Sequence, residues 1–382
     1  MYAMTPIYIP LDLQINTLLK LPVKSLLRFR SVSKLWSSII TSQQFRNHHL
    51  NIASSSPPPR LLIAFEDFYG AKLLVVSIPN PNVVLSSSSS SYKDLSLVNI
   101  KGKIVYNAGR GLICVGAGFE NVGICNPSTR QVHNLPHFKF KQTQIVCPRP
   151  MYIVGYDPVG DQYKVLALDD LPWRLEHKIV VLGGEETWRE SPCVACPHVV
   201  CTKGLYMNGT VYYGAFMKDI DSPHNSIIVR FDVRSETFNI FKVPSKLVPV
   251  GYECMWKERG WSPTDKILIN YGGKIGVVES PSVCGFRLWV VEDAEKEEWS
   301  MSTFHLPESY VGVDFEVMDT FSSGEVCLVS KEWSDPFCLF YYNLEKKSMR
   351  SVAIEGLPIS DFKKIQALSV TVSDHYESLL SL

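Results

Sequence analysis

Two periodicities divide the chain. In the first fifty residues apolar positions recur at helical spacing. Leu11, Ile15, Leu18 and Leu19 follow an i, i+4, i+7, i+8 pattern and predict a helix with one apolar face, opened by Pro10. Pro22 ends it. Leu26, Leu27 and Phe29 mark a second helix, Ser33 is placed to cap a third carrying Trp36, Ile39 and Ile40, and Phe45 and Leu50 add a final turn. From Arg60 onward the pattern changes. Apolar runs become short, rich in Val, Ile, Tyr and Phe, and broken by Gly, Asn, Asp and Pro, which predicts strands and turns.

The strand-rich part repeats. Six stretches close on a proline, at Pro79, Pro136, Pro192, Pro244, Pro307 and Pro358. Their spacing of roughly 50 to 60 residues is near the kelch-type period. Within them, 124–136, 229–244 and 340–358 each read as strand, polar turn, strand. Asn208-Gly209 inside 204–213 is a strong hairpin signal, and 152–157 pairs naturally with 163–168. Sheets repeated radially protect their edges. The expected architecture is α+β and multidomain: a small N-terminal helical domain, then an all-β propeller of about six blades, with residues 365–372 closing the ring. An irregular pair of β-sandwiches is the alternative.

The expected boundaries are 5–52 for the helices, 53–59 for a proline-containing linker and 60–375 for the propeller. A helical unit of about 45 residues is near the size at which a chain stops folding unaided. Each buried Leu, Ile or Phe contributes roughly 1.5–3 kcal/mol, against about 1–2 kcal/mol of entropy per ordered residue. The unit therefore needs something to cover it, and the stiff linker points to a partner other than the β-body.

Charge and cysteine usage narrow the partners. Lys plus Arg equal Asp plus Glu at 38 each, so nothing favours nucleic acid or an anionic membrane. No apolar run approaches the roughly 20 residues that span a bilayer, and the first residues lack the pattern of a secretory signal. Most of the ten cysteines lie in apolar surroundings at irregular spacing, and they are expected to be reduced thiols of a cytoplasmic or nuclear protein.

Catalytic motifs do not emerge: there is no G-x-S-x-G elbow, P-loop or H-E-x-x-H. Cys193, Cys196, His198 and Cys201 form one metal-like cluster. It lacks a second CxxC, and strand alternation turns His198 and Cys201 to opposite faces, so ordinary thiols and no metal are expected. No cofactor is implied. His48 and His49, adjacent on a helix, are expected in solvent.

The segment IPLDLQINTLLKLPVKSLLRFRSVSKLWSSIITSQQFRNHHL, residues 9–50, resembles an F-box of the form found in many plant proteins. The resemblance rests on Ile9-Pro10, Asp12-Leu13, the LPVKSL run at 21–26, Phe29 between Arg28 and Arg30, Val32-Ser33-Lys34, and Trp36. The β-body resembles the F-box-associated domain, through Asn126-Pro127-Ser128-Thr129-Arg130, Gly155-Tyr156-Asp157, residues 161–165, Asn208-Gly209 and Phe231-Asp232. The resemblance implies a non-catalytic substrate receptor of a ubiquitin ligase. Its F-box would dock a Skp-type adaptor and, through it, cullin and RING subunits, while the propeller captures a target protein for ubiquitylation.

A helical face laid on a partner's helices concentrates binding energy in a few apolar anchors. The expected adaptor-binding residues are Pro10, Leu13, Ile15, Leu21, Pro22, Leu26, Val32 and Trp36. Pro10 and Leu26 are expected at the interface, and Trp36 stands between core and interface. Trp173, Trp256, Trp261 and Trp333, in turn-like stretches, are candidates for target binding or for capping blade edges. Two other readings remain: an F-box protein acting with the adaptor outside the ligase, and a kelch-type propeller enzyme.

Overall fold

The computed structural model describes residues 9–55, 60–67, 72–80, 96–101, 104–117, 121–138, 150–168, 176–191, 198–219, 222–244, 266–282, 284–320, 324–332, 334–357 and 368–382. Four helices come first: α1 (Leu11–Leu18), α2 (Val23–Phe29), α3 (Lys34–Thr41) and α4 (Gln43–Ser55). Pro10 and Pro22 each sit at the residue before a helix, where fixed φ suits the turn of the chain. The Ser33 hydroxyl accepts the Trp36 N–H at 3.0 Å, capping α3 as its sequence predicts. The Ser42 hydroxyl does the same for Phe45 at the start of α4. That helix continues through Ser55, past the start of the expected linker.

The β-body holds six antiparallel sheets. The first contains β1 (Arg60–Asp67), β2 (Lys72–Pro79) and β3 (Ser96–Lys101). The second is β4 (Ile104–Gly109), β5 (Leu112–Ala117), β6 (Asn121–Asn126) and β7 (Gln131–Asn134). The third is β8 (Met151–Asp157), β9 (Gln162–Leu168), β10 (His177–Val181) and β11 (Arg189–Glu190). The fourth has β12 (His198–Val200) and β13 (Leu205–Met207) both paired to β14 (Thr210–Asp219), then β15 (Ser222–Asp232) and β16 (Phe238–Lys242). The fifth is β17 (Lys266–Tyr271), β18 (Lys274–Ser282), β19 (Gly285–Asp293) and β20 (Glu298–His305). The sixth is β21 (Phe315–Thr320), β22 (Glu325–Ser330), β23 (Phe337–Asn343) and β24 (Ser348–Ile354). The last strand, β25 (Leu368–His375), pairs antiparallel with β1, Arg60 opposite His375. The order β25-β1-β2-β3 closes the ring with chain from both ends, in a six-bladed propeller.

One turn design recurs through the ring. An Asn or Asp ends a strand, its side chain accepts a backbone N–H two or three residues on, and the residue four on takes a left-handed φ. Asn126 accepts from Ser128, Asp157 from Val159, Asp232 from Ser235, Asp293 from Glu295 and Asn343 from Lys346. The left-handed residues are Arg130, Asp161, Glu236, Glu297 and Lys347. This is the physical origin of the polar-turn repeat visible in the sequence. Asn208 and Gly209, at φ 47° and 82°, make the tight hairpin between β13 and β14.

The core lies between neighbouring blades. Phe65 meets Phe337 edge-on at 5.3 Å across the first and sixth sheets, Tyr106 meets Tyr152 at 5.2 Å across the second and third, and Phe286 meets Tyr342 at 5.2 Å across the fifth and sixth. The buried Tyr342 hydroxyl donates to the His305 carbonyl at 3.0 Å, which removes the cost of taking it from water.

The helical domain does not stand apart from the propeller, contrary to the expectation drawn from the linker. Its apolar core is Leu18, Leu19, Val23, Leu26, Ile40 and Phe45, completed by Leu379 from the segment after β25. That segment runs along the second blade. Asn126 Nδ2 donates to the Ser378 and Leu380 carbonyls, the Ser128 hydroxyl accepts the Ser378 N–H, and Leu380 and Leu382 pack on the propeller core. Gly111 lies beneath it; a Cβ there would stand 2.5 Å from the Tyr376 carbonyl oxygen, so only glycine fits.

Helix α4 makes a second contact. Gln43, Asn47 and Asn51 fall at i, i+4 and i+8, one helix face. Gln43 and Asn47 both donate to Asp161 Oδ2, the latter at 2.7 Å, and Arg110 Nη2 donates to Asn51 at 2.8 Å. Burial alone would raise the Asp161 carboxyl. Hydrogen bonds from Tyr156, Asn47 and Gln43, with the Arg110 charge, outweigh that and hold it below the usual carboxylate range.

Candidate functional site

Most large apolar side chains of the helices turn inward, but a set at the start of the domain does not. Ile9, Leu11 and Leu13 around the beginning of α1, and Val32 and Leu35 around the beginning of α3, are exposed, Leu13 at 52% and Val32 at 62%. With Ile52 they make six of the ten large exposed apolar residues in the described chain. Scattered single apolar residues are ordinary on a surface; this many in so short a stretch is not. Trp36 on α3 is half-buried, its ring 5.3 Å from Phe29 and its indole N–H donating to Gln14 Oε1 on α1 at 2.7 Å.

The expected adaptor-binding residues separate by burial. Pro10, Leu13, Pro22 and Val32 are exposed, and Ile15, Leu21 and Trp36 are partly buried against the helical core. Leu26, expected at the interface, is fully buried inside the chain's own core between Leu18, Val23, Phe45 and Leu379. Periodicity correctly marked it as apolar-facing, but the residue that covers part of that face, Leu379, lies more than 350 residues away. Leu11 errs the other way: placed on the inner face by spacing, it is exposed. His49, expected in solvent, is buried and its Nε2 is 3.0 Å from the Leu21 carbonyl oxygen. Spacing also missed Ile9 and Leu35; the signal available was a run of apolar residues too dense for one narrow helix stripe.

The helices occupy one face of the propeller. Asp161 lies in the turn from β8 to β9, Arg110 in the turn from β4 to β5, and Ser128 in the turn from β6 to β7. In four-stranded antiparallel sheets these first-to-second and third-to-fourth turns share one side. The four tryptophans considered for target binding, Trp173, Trp256, Trp261 and Trp333, lie outside the described residues. Cys193 and Cys196 of the metal-like cluster also lie outside them. His198 is buried with its Nε2 3.0 Å from the Tyr213 hydroxyl, and among the described residues no group of three or more His, Cys, Asp or Glu is placed to hold a metal.

Residues 60–376 match the F-box associated beta propeller domain, and residues 8–48 match the F-box domain. The chain belongs to the F-box proteins. An F-box protein of Arabidopsis thaliana is 57% identical over 388 residues, covering 99% of this chain and 98% of its own. An F-box/kelch-repeat protein of the same plant is 31% identical over 392 residues, covering 92% and 86%. The Arabidopsis F-box protein DOR is 35% identical over 375 residues, covering 91% and 88%. The F-box match covers the exposed apolar residues Ile9, Leu11, Leu13, Val32 and Leu35, and the propeller match takes in β25, which closes the ring.

Proposed function

We propose that this F-box protein is the substrate-recognition subunit of a Skp–cullin–F-box ubiquitin ligase, without chemistry of its own. The observation that carries the reading is the pairing of an exposed apolar surface on the F-box with a propeller held at a fixed orientation to it. Ile9, Pro10, Leu13, Val32 and Leu35 are the anchors a Skp-type adaptor would cover, with Pro22 also exposed and Ile15, Leu21 and Trp36 partly buried against the helical core. The adaptor would bring cullin and RING subunits. The propeller would capture the target, with Trp173, Trp256, Trp261 and Trp333 the candidate contacts. Such a ligase works in the cytoplasm or nucleus.

The test is recovery of the Skp-type adaptor and of cullin with the tagged full-length protein. Wild type is expected to recover both, and Val32→Asp neither. Adaptor without cullin supports action outside the ligase; recovery of neither by wild type overturns the reading.

A further inference from the structure

Gln14 sits on α1 with both ends of its amide engaged. Its Nε2 donates to the Ile9 carbonyl oxygen at 2.8 Å, and its Oε1 accepts the Trp36 indole N–H at 2.7 Å. An indole only donates and a carbonyl only accepts, so the two partners together demand a side chain that does both. Among residues of this length, a neutral amide does so at every pH. A carboxylate could still accept from Trp36 but would set its lone pairs against those of the Ile9 oxygen.

The two ends of this bridge belong to the two exposed apolar stretches. Ile9 leads into Pro10, Leu11 and Leu13, and Trp36 lies beside Leu35 on α3, whose approach carries Val32. Apart from the bridge, the chain before α1 is held at its helix end by the Gln14 backbone N–H bonding the Pro10 carbonyl at 3.1 Å. We propose that Gln14 is the positioning residue of the adaptor surface: its amide fixes the Ile9–Pro10 approach against Trp36, so that the apolar groups of α1 and α3 meet the adaptor in one register. Without it the approach must be ordered on binding, at a cost in affinity. This inference rests on the adaptor-binding reading above.

The test is the affinity of the full-length protein for the Skp-type adaptor, by calorimetry between pH 4.5 and 7.5, for wild type, Gln14→Glu and Gln14→Leu. The protonated glutamic acid reproduces the amide, its hydroxyl donating to Ile9 and its carbonyl accepting from Trp36; the ionised form does not. At pH 7.5 both variants are expected to bind roughly tenfold more weakly. As pH falls, Gln14→Glu should recover toward wild type while Gln14→Leu stays weak. A merely structural role would give no such recovery. Wild-type affinity in both variants, or equal pH-independent losses in both, overturns the proposal. Absence of binding by wild type refutes the adaptor reading instead. Should either Gln14 variant unfold the helices, Trp36→Phe, which removes the indole donor and keeps a ring, decides in the same assay: binding roughly tenfold weaker supports the bridge, and wild-type affinity overturns it.

Discussion

The Val23 backbone N–H donates to the Glu377 carboxylate at 2.9 Å, joining residues 354 positions apart. Val23 opens α2, where unsatisfied N–H groups and the helix dipole favour an anion. Two positions on, Leu379 enters the F-box core, 7% exposed. The F-box of this protein is thus finished by the last residues of the chain, and Glu377 also lies 3.9 Å from Arg60 at the start of the propeller.

Leu379→Ala should destabilise the F-box by about 2–4 kcal/mol, the range for a large-to-small change in a core. Glu377→Ala should cost about 1 kcal/mol, as for a lost helix cap. Hydrogen exchange followed by mass spectrometry checks both: amides of α2 and α3 should lose protection while β8 and β9 keep theirs. Uniform loss across the propeller would contradict the local role assigned to this segment.

The contact between α4 and Asp161 gives a second expectation. Asp161→Ala removes the acceptor of Gln43, Asn47 and Tyr156 together and should cost about 1–3 kcal/mol. Because the folded pKa of Asp161 is lowered, its contribution is present at neutral pH and is lost only as pH falls through that lowered value. A double-mutant cycle with Asn47→Ala, measured by urea denaturation at pH 7, should show coupling; strict additivity would mean that the two groups do not interact in solution.

Much of this architecture was legible from residue patterns, for reasons that differ by element. The blade turns could be read because each carries its own chemistry, an Asn or Asp that bonds the backbone and a residue tolerant of left-handed φ, as at Asn126 and Arg130. The caps could be read because Ser33 and Trp36 are neighbours in sequence. The burial of Leu26 is not legible because periodicity says which face of a helix is apolar and nothing about what covers it. Its cover includes Leu379, in a stretch, HYESLLSL, with no periodic or motif signal. The polar face of α4 was equally silent, since Gln43, Asn47 and Asn51 read as solvated until Asp161 and Arg110 are brought beside them.

The two apolar classes in the F-box can be separated by experiment. Val32→Asp places a charge on a side chain already in water and should leave the melting temperature within a few degrees of wild type. Its adaptor affinity should fall by at least about thirtyfold, the loss of an interface anchor. Leu26→Asp buries an unpaired carboxylate and should unfold the helices outright. Circular dichroism melts run beside the binding assay distinguish lost surface from lost fold. An equal melting loss for both variants would show that Val32 is packed in solution.

His177 gives the molecule an acid sensitivity of its own. It is buried against Phe238, ring centroids 5.0 Å apart, and neither ring nitrogen has a hydrogen-bond partner among the described residues. Burial, with a smaller effect of neighbouring His198, lowers its pKa from 6.5 to about 3. The folded protein therefore holds fewer protons at this site than the unfolded chain between those values. The stability that a neutral His177 supplies is complete above pH 6.5 and is lost progressively as pH falls toward 3. His375, lowered to about 3 by burial and by the Arg60 charge, acts in the same direction. Each such group adds about 1.4 kcal/mol per pH unit to the slope of unfolding free energy between roughly pH 6 and 4. His177→Leu keeps the apolar contact with Phe238 and cannot be protonated. Urea denaturation at pH 6.0, 5.25 and 4.5 should give it a slope shallower than wild type by about that amount, and a relative gain in stability that grows as the solution becomes more acidic. Parallel slopes would mean that His177 takes up its proton without leaving the fold.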